Sequence, residues 1–147
     1  RLAAEGHQFL ITLGQIKTSR ARYDLFLKVL ENEGTLPKII SPLARVSSWA
    51  EVGQGSIVMH RAILNAGTGV GENVIVNTGA IIEHDVGIGS HCHIATGAIV
   101  NGGAKIGSHC FIGSGAVIKQ GVAVGDYSVI GAGVTVLKDI QDGLIVK

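Results

Sequence analysis

Aromatic residues make up only 4% of this chain and charged residues only 16%. With a net charge of +1 and no basic block, there is little to neutralise phosphates or stack on bases, so no nucleic acid partner is expected. The two cysteines, Cys92 and Cys110, form no closely spaced ligand pair and imply neither a disulfide framework nor an oxidising compartment. Mean hydropathy is positive, yet no apolar run approaches the roughly 18 residues a membrane-spanning helix needs. The opening RLAAEGHQFLITLG carries no cleavage pattern, and the cytoplasm is the expected compartment.

What the chain does have is glycine and branched aliphatics in a strict order. Of its 22 glycines, 19 follow residue 52, without the Gly-X-Y period of collagen. From Ile40 to Val136 every sixth residue is aliphatic, seventeen positions in succession, and all but Leu64 are Val or Ile. The residue two places earlier is small or apolar, as at Ala62, Val74, Ala80, Cys92, Ala98 and Cys110. Neither a 3.6-residue helix nor a plain two-residue alternation gives a period of six. A solenoid does, with one short strand per six residues. Val/Ile-Gly pairs recur every 18 residues, at Val52-Gly53, Val70-Gly71, Ile88-Gly89, Ile106-Gly107 and Val124-Gly125. Three hexads therefore close one coil, with a corner that favours glycine's permissive backbone. The pattern predicts a triangular parallel β-helix of about five and a half coils over residues 37–147.

Residues 1–36 differ. HQFLITLG reads as a short strand, and SRARYDLFLKVLENEG as an amphipathic helix ending at Gly34, with Tyr23, Phe26, Leu27 and Leu30 on one face. A strand and a helix cannot make a domain alone, so this piece is expected to be the end of a small α/β unit. Pro37 and Pro42 punctuate the passage into the prism.

Residues 18 apart become neighbours about 4.8 Å apart once coils stack. Two outward columns are apolar: Ile57, Ile75, Phe111, Val129 and Ile63, Ile81, Ile99, Val117. Only seven Asp, Glu, Lys or Arg residues lie between Val52 and Val136. Aligned outward aliphatics predict a partner face and a cyclic homo-oligomer. Against this background GAIIEHDVGIGSHCHIATGA, residues 79–98, concentrates titratable groups. His84 stacks between Ala66 and Gly102, beside Glu83 and Asp85, a crowding that suits general-base work. His93 interrupts the first apolar column. His91 and His109, aligned with Asn73 and Tyr127, read as a solvated ladder.

NTGAIIEHDVGIGSHCHIATGAIVNGG, KIGSHCFIGSGAVI and VGDYSVIGAGVTVLKDI together resemble the sugar acetyltransferases of the sialic-acid O-acetyltransferase and bacillosamine-precursor N-acetyltransferase type. The resemblance implies a left-handed prism, a homotrimer with acetyl-CoA bound between subunits, and an N-terminal domain for the nucleotide-sugar. It implies His84 as catalytic base, oriented by Asp85. His93 would contact acetyl-CoA, the Gly102 N–H would meet the thioester carbonyl, and Ser114 and Ala132 would line the pantetheine arm. Asn77 and Glu83 fall on the acceptor side. The GxGGH turn and the GNPA segment of that family are missing, so the chain is expected to be a fragment. Acetyl transfer to the amine of a nucleotide-linked amino sugar, in glycan or surface polysaccharide biosynthesis, is the expected activity. O-acetylation of sialic acid and a non-catalytic oligomerisation scaffold are the alternatives. No metal is expected, because no histidine pair has the five-residue spacing of the γ-class carbonic anhydrases that share the prism.

Overall fold

The structure is a computed structural model that describes residues 6–147. From Ile39 to Val146 the chain winds through two-residue strands, successive ones falling in turn on three parallel sheets. Face I has seven strands, from Ile39–Ile40 to Ile145–Val146. Face II has six, from Arg45–Val46 to Thr135–Val136, and face III five, from Glu51–Val52 to Ala123–Val124. Register follows the 18-residue repeat: Ile57 pairs with Ile75, Ile81 with Ile99, and Gly87 with Lys105. The three parallel sheets are consistent with the left-handed prism that the resemblance implies. The prism makes about six turns, half a coil more than the hexads alone indicate. Its last coil is shorter, with Val129 opposite Ile145 and Val124 bridging Ile140.

The sixth-position aliphatics fill the prism: Ile82, Ile94, Val100, Ile112, Ile118 and Ile130 are fully buried. The small polar residues of the inner column are buried too, and each is satisfied by a carbonyl of the next coil. Ser56 Oγ donates to Gly71 O at 2.8 Å, Thr68 Oγ1 to Glu83 O at 3.0 Å, and Cys92 Sγ to Gly107 O at 2.9 Å. A buried hydroxyl or thiol is tolerated here because the coil spacing always supplies an acceptor.

The glycine corner needs a different reason from the expected one. Gly53, Gly71, Gly89, Gly107 and Gly125 have no left-handed backbone. A Cβ on any of them would meet backbone atoms of the next coil at 2.5–2.7 Å. Close approach, not φ, demands glycine there. Left-handed residues sit two places later, and among them are Asn73, His91, His109 and Tyr127.

The N-terminal piece also departs from expectation. Its strand reduces to one parallel bridge between Gln8 and Thr35, with the Phe9 N–H donating to Thr35 O at 2.9 Å. The helix spans Arg20–Glu31 and buries Arg22 and Phe26, whereas Tyr23, Leu27 and Leu30 are only half-buried. It ends on a left-handed Glu33, and Gly34 is there because a Cβ would strike Val29 at 2.7 Å. Phe26 packs with Ile11 and Leu36 in a small core that touches the prism at Gly55.

Replacing Gly89 with Ala should lower the stability by about 1–3 kcal/mol, through forced displacement of the next coil. Gly69, where a Cβ would meet nothing within 4 Å, should accept Ala with a change of under about 0.5 kcal/mol. Urea unfolding midpoints of the two variants measure the contrast.

Candidate active site

The corner between Ile81–Ile82 of face II and Gly87–Ile88 of face III carries Glu83, His84 and Asp85. Asp85 is left-handed, at φ 60°, a conformation aspartate tolerates better than most residues. Its N–H donates to Ala66 O at 3.0 Å, and the Gly103 N–H donates to His84 O at 2.9 Å, so the corner is tied to the coils on both sides. The turn directs the Asp85 carboxylate back onto its neighbour, with His84 Nδ1 3.0 Å from Asp85 Oδ2. A carboxylate only accepts, so Nδ1 carries a proton, and any lone pair on the ring lies at Nε2. Both side chains are solvent-exposed, at 59% and 73%.

Two glycines make room for this pair. The imidazole lies over Gly102, where a Cβ would come within 2.6 Å of Nε2 and 2.7 Å of Cε1. The Asp85 carboxylate lies over Gly67, where a Cβ would collide with it. The Gly102 N–H finds no acceptor among the described residues, while its carbonyl accepts from the Gly121 N–H at 3.0 Å. A basic nitrogen and an uncommitted backbone donor thus lie one coil apart on one corner. The Glu83 carboxylate is engaged by Asn65, whose Nδ2 donates to Oε2 at 2.9 Å.

His93 is elsewhere, on face I, opposite the corner that bears His84. Its partners are Gln15 O, 2.7 Å from Nδ1, and Asn77 Nδ2, 3.1 Å from Nε2. Burial pushes its pKa down, against the opposing pull of the Gln15 carbonyl. Ser114 and Ala132 are exposed and stacked at the corner joining faces I and II, where the Gly133 N–H donates to Ser114 O at 2.9 Å. The sequence-derived residues therefore form separate groups within one chain: Glu83, His84, Asp85 and Gly102; Asn77 and His93; and Ser114 with Ala132.

His91 and His109 are not a solvated ladder. Only 9% of His91 is exposed, because the N-terminal helix covers this column. Tyr23 meets both rings edge-on, with centroids at 4.7 and 5.3 Å, and Phe26 meets His91 at 5.3 Å. Ser19 Oγ is 2.7 Å from His109 Nδ1, and Gln15 Nε2 donates to His91 O at 2.9 Å. The column Ile57, Ile75, Phe111 and Val129 is also less free as a partner face than its apolar pattern suggests, since Gln15 contacts it at His93 from within the chain. Arg22, fully buried, donates from Nη1 to Ile11 O at 2.6 Å and Leu13 O at 2.9 Å. Burial lowers its pKa to about 10, so it stays charged near neutrality. Sequence reasoning missed Gln15 and Arg22, because a lone Gln or Arg reads as surface until its partners are known. A pocket of about 410 Å³ opens beside the helix start, lined by Lys17, Arg20, Tyr23, His109 and Tyr127 among others. Cys92 and Cys110 are buried, and the hydrogen bond with Cys110, then burial, pushes the Cys92 thiol up, which leaves it a poor nucleophile. Among the described residues no three His, Cys, Asp or Glu side chains cluster as metal ligands would.

Residues 103–138 match the bacterial transferase hexapeptide (six repeats) family model. No curated protein matches the chain significantly. The acetyltransferase domain of PglB from Neisseria gonorrhoeae FA1090, also solved with acetyl coenzyme A, is 37% identical over 88% of this chain and 63% of its own, with a TM-score of 0.86. A variant of perosamine N-acetyltransferase from Caulobacter crescentus, with one histidine replaced by asparagine and with CoA and GDP-perosamine bound, is 31% identical. That match covers 98% of this chain and 68% of the other, with a TM-score of 0.93. WeeI from Acinetobacter baumannii AYE is 27% identical, over 90% and 65%, with a TM-score of 0.84. The chain thus spans somewhat under two thirds of the PglB domain's length.

The buried histidines make docking of the helix pH-dependent. Burial first, then the His109 ring and the Arg22 guanidinium, lower the His91 pKa to about 4. The unfolded state takes up a proton near pH 6.5, before the folded state can. Stability should be full above about pH 6.5, fall as the pH drops towards 4, and level off below. Thermal melts across this range should show the slope, and His91→Gln should flatten part of it.

Proposed function

Because the chain belongs to the hexapeptide-repeat family of sugar N-acetyltransferases, we propose that it moves the acetyl group of acetyl-CoA to the amine of a nucleotide-linked amino sugar. The observation that carries the reading is the pairing of His84 Nε2, freed by the Nδ1–Asp85 hydrogen bond, with the uncommitted N–H of Gly102. His84 takes the amine proton as the nitrogen attacks the thioester carbon, a role worth typically about 10²–10⁴-fold. The carbonyl oxygen becomes an oxyanion facing the Gly102 N–H, a contact of a kind worth about 10²–10³-fold. As the tetrahedral intermediate collapses, the C–S bond breaks and His84 returns the proton to the CoA thiolate. Asp85 holds the ring and supports its charged form.

On this reading the assembly is a homotrimer. His84 and His93 lie on opposite sides of one prism, so they serve a single acetyl-CoA only across a contact between two copies. The half-buried column Ile63, Ile81, Ile99 and Val117 on face II supplies an apolar surface for that contact. Ser114 and Ala132 line the pantetheine arm, and Asn77 and Glu83 lie towards the acceptor. Residues 1–36 belong with the nucleotide-sugar unit, and the cytoplasm supplies the acetyl-CoA. Among the described residues no helix is long and apolar enough to cross a membrane.

His84→Ala should slow CoA release at least about 100-fold, followed with a thiol reagent, while sedimentation shows the same assembly as the parent. A loss under about fivefold takes His84 out of the mechanism.

A further inference from the structure

A chain of three hydrogen bonds runs through His93, and both of its ends are backbone groups. The Thr78 N–H donates to Asn77 Oδ1 at 2.7 Å. That leaves the amide nitrogen of Asn77 directed at His93 Nε2, 3.1 Å away. On the far side of the ring, Nδ1 lies 2.7 Å from the carbonyl of Gln15. A peptide N–H can only donate and a peptide carbonyl can only accept, so the polarity of the whole relay is fixed. Asn77 cannot flip without setting Nδ2 against the Thr78 N–H. The His93 proton must sit on Nδ1, and Nε2 must carry the lone pair.

Gln15 makes this lock a tertiary one. It is 6% exposed and bonds the prism twice, through its carbonyl to His93 and through Nε2 to His91 O at 2.9 Å. The two acceptor and donor contacts straddle one strand entry, so the carbonyl cannot drift from His93 while the side chain holds His91. Arg22 secures the preceding turn through Ile11 O and Leu13 O.

From this geometry we infer that Gln15 is a positioning residue that fixes His93 as a hydrogen-bond acceptor towards the bound substrates. The inference rests on the acetyl-transfer reading only for the identity of those substrates. His93 then cannot act as a second donor to the thioester oxyanion, a task left to the Gly102 N–H. It accepts instead from an N–H of the ligand, which takes the place of Asn77 at Nε2. Beside the reacting centre two ligand groups have that chemistry: an amide of the pantetheine arm and the amine of the acceptor sugar. The free imidazole in water favours the opposite tautomer, with the proton on Nε2, so the lock leaves a spectroscopic mark.

Long-range ¹H–¹⁵N correlation spectra of the protein with ¹⁵N-labelled histidine read the tautomer directly. Without ligand, His93 should show a protonated Nδ1 and an unprotonated Nε2 near neutral pH. An Nε2-protonated or averaged ring overturns the inference, whatever the enzyme acetylates. With acetyl-CoA alone, a shift of the Nε2 resonance with the tautomer retained supports a pantetheine donor. A shift that needs GDP-perosamine as well supports the sugar amine. A switch to the Nε2-protonated form, or an Nε2 resonance unmoved with both ligands bound, overturns it. Gln15→Ala should move the ring towards the solution tautomer and raise the KM for acetyl-CoA about tenfold, with kcat changed less than about twofold. If neither ligand binds, the acetyl-transfer reading fails, and the tautomer of the free protein still decides the role of Gln15.

Discussion

One constraint governs this molecule: each coil must lie directly on the one before it, at the spacing of paired parallel strands. Everything else is a consequence of that stacking. It sets the 18-residue register that places Gly102 next to His84 and Phe111 next to His93. It supplies a carbonyl to every buried hydroxyl and thiol of the inner column. It also bars any Cβ at one corner, because the next coil's backbone already occupies the space. Hydrophobic burial drives the winding, but the ladder and the missing Cβ atoms decide its pitch.

Much of this was legible in the sequence because the repeat couples a local pattern to a three-dimensional neighbour. A valine or isoleucine every sixth residue names the inward positions, and the 18-residue Val/Ile-Gly period names the corners. The neighbourhood of His84 could therefore be read off as arithmetic. The motive for the corner glycines could not, since a periodic glycine looks the same whether it answers to φ or to crowding. The fate of His91 was also hidden. Its column alignment with Asn73, His109 and Tyr127 was correct, but burial there comes from the helix Arg20–Glu31, which follows no repeat. Non-periodic contacts such as those of Gln15 and Arg22 leave no trace in spacing, and they are the ones that join the N-terminal segment to the prism.

The histidines illustrate how one fold gives a single side chain several uses. His84 stands at an open corner with a carboxylate on one nitrogen and glycine below the ring. His91 is packed among Tyr23, Phe26 and His109 and kept neutral by burial. His93 lies between them in character, half-buried and held by directed hydrogen bonds. The differences owe nothing to the residue and everything to which column of the prism it occupies and what covers that column.

The shortened last coil has a meaning of its own. A solenoid with uniform rungs offers, at its end, a template on which another chain could continue the winding. Here Ile145 sits only sixteen positions beyond Val129, and Ile140 sixteen beyond Val124. Two residues fewer must span the same corners, so this rung departs from the uniform register that the other rungs set for one another. An unequal rung is a poorer pairing template than a uniform one, whatever chain lies beyond it.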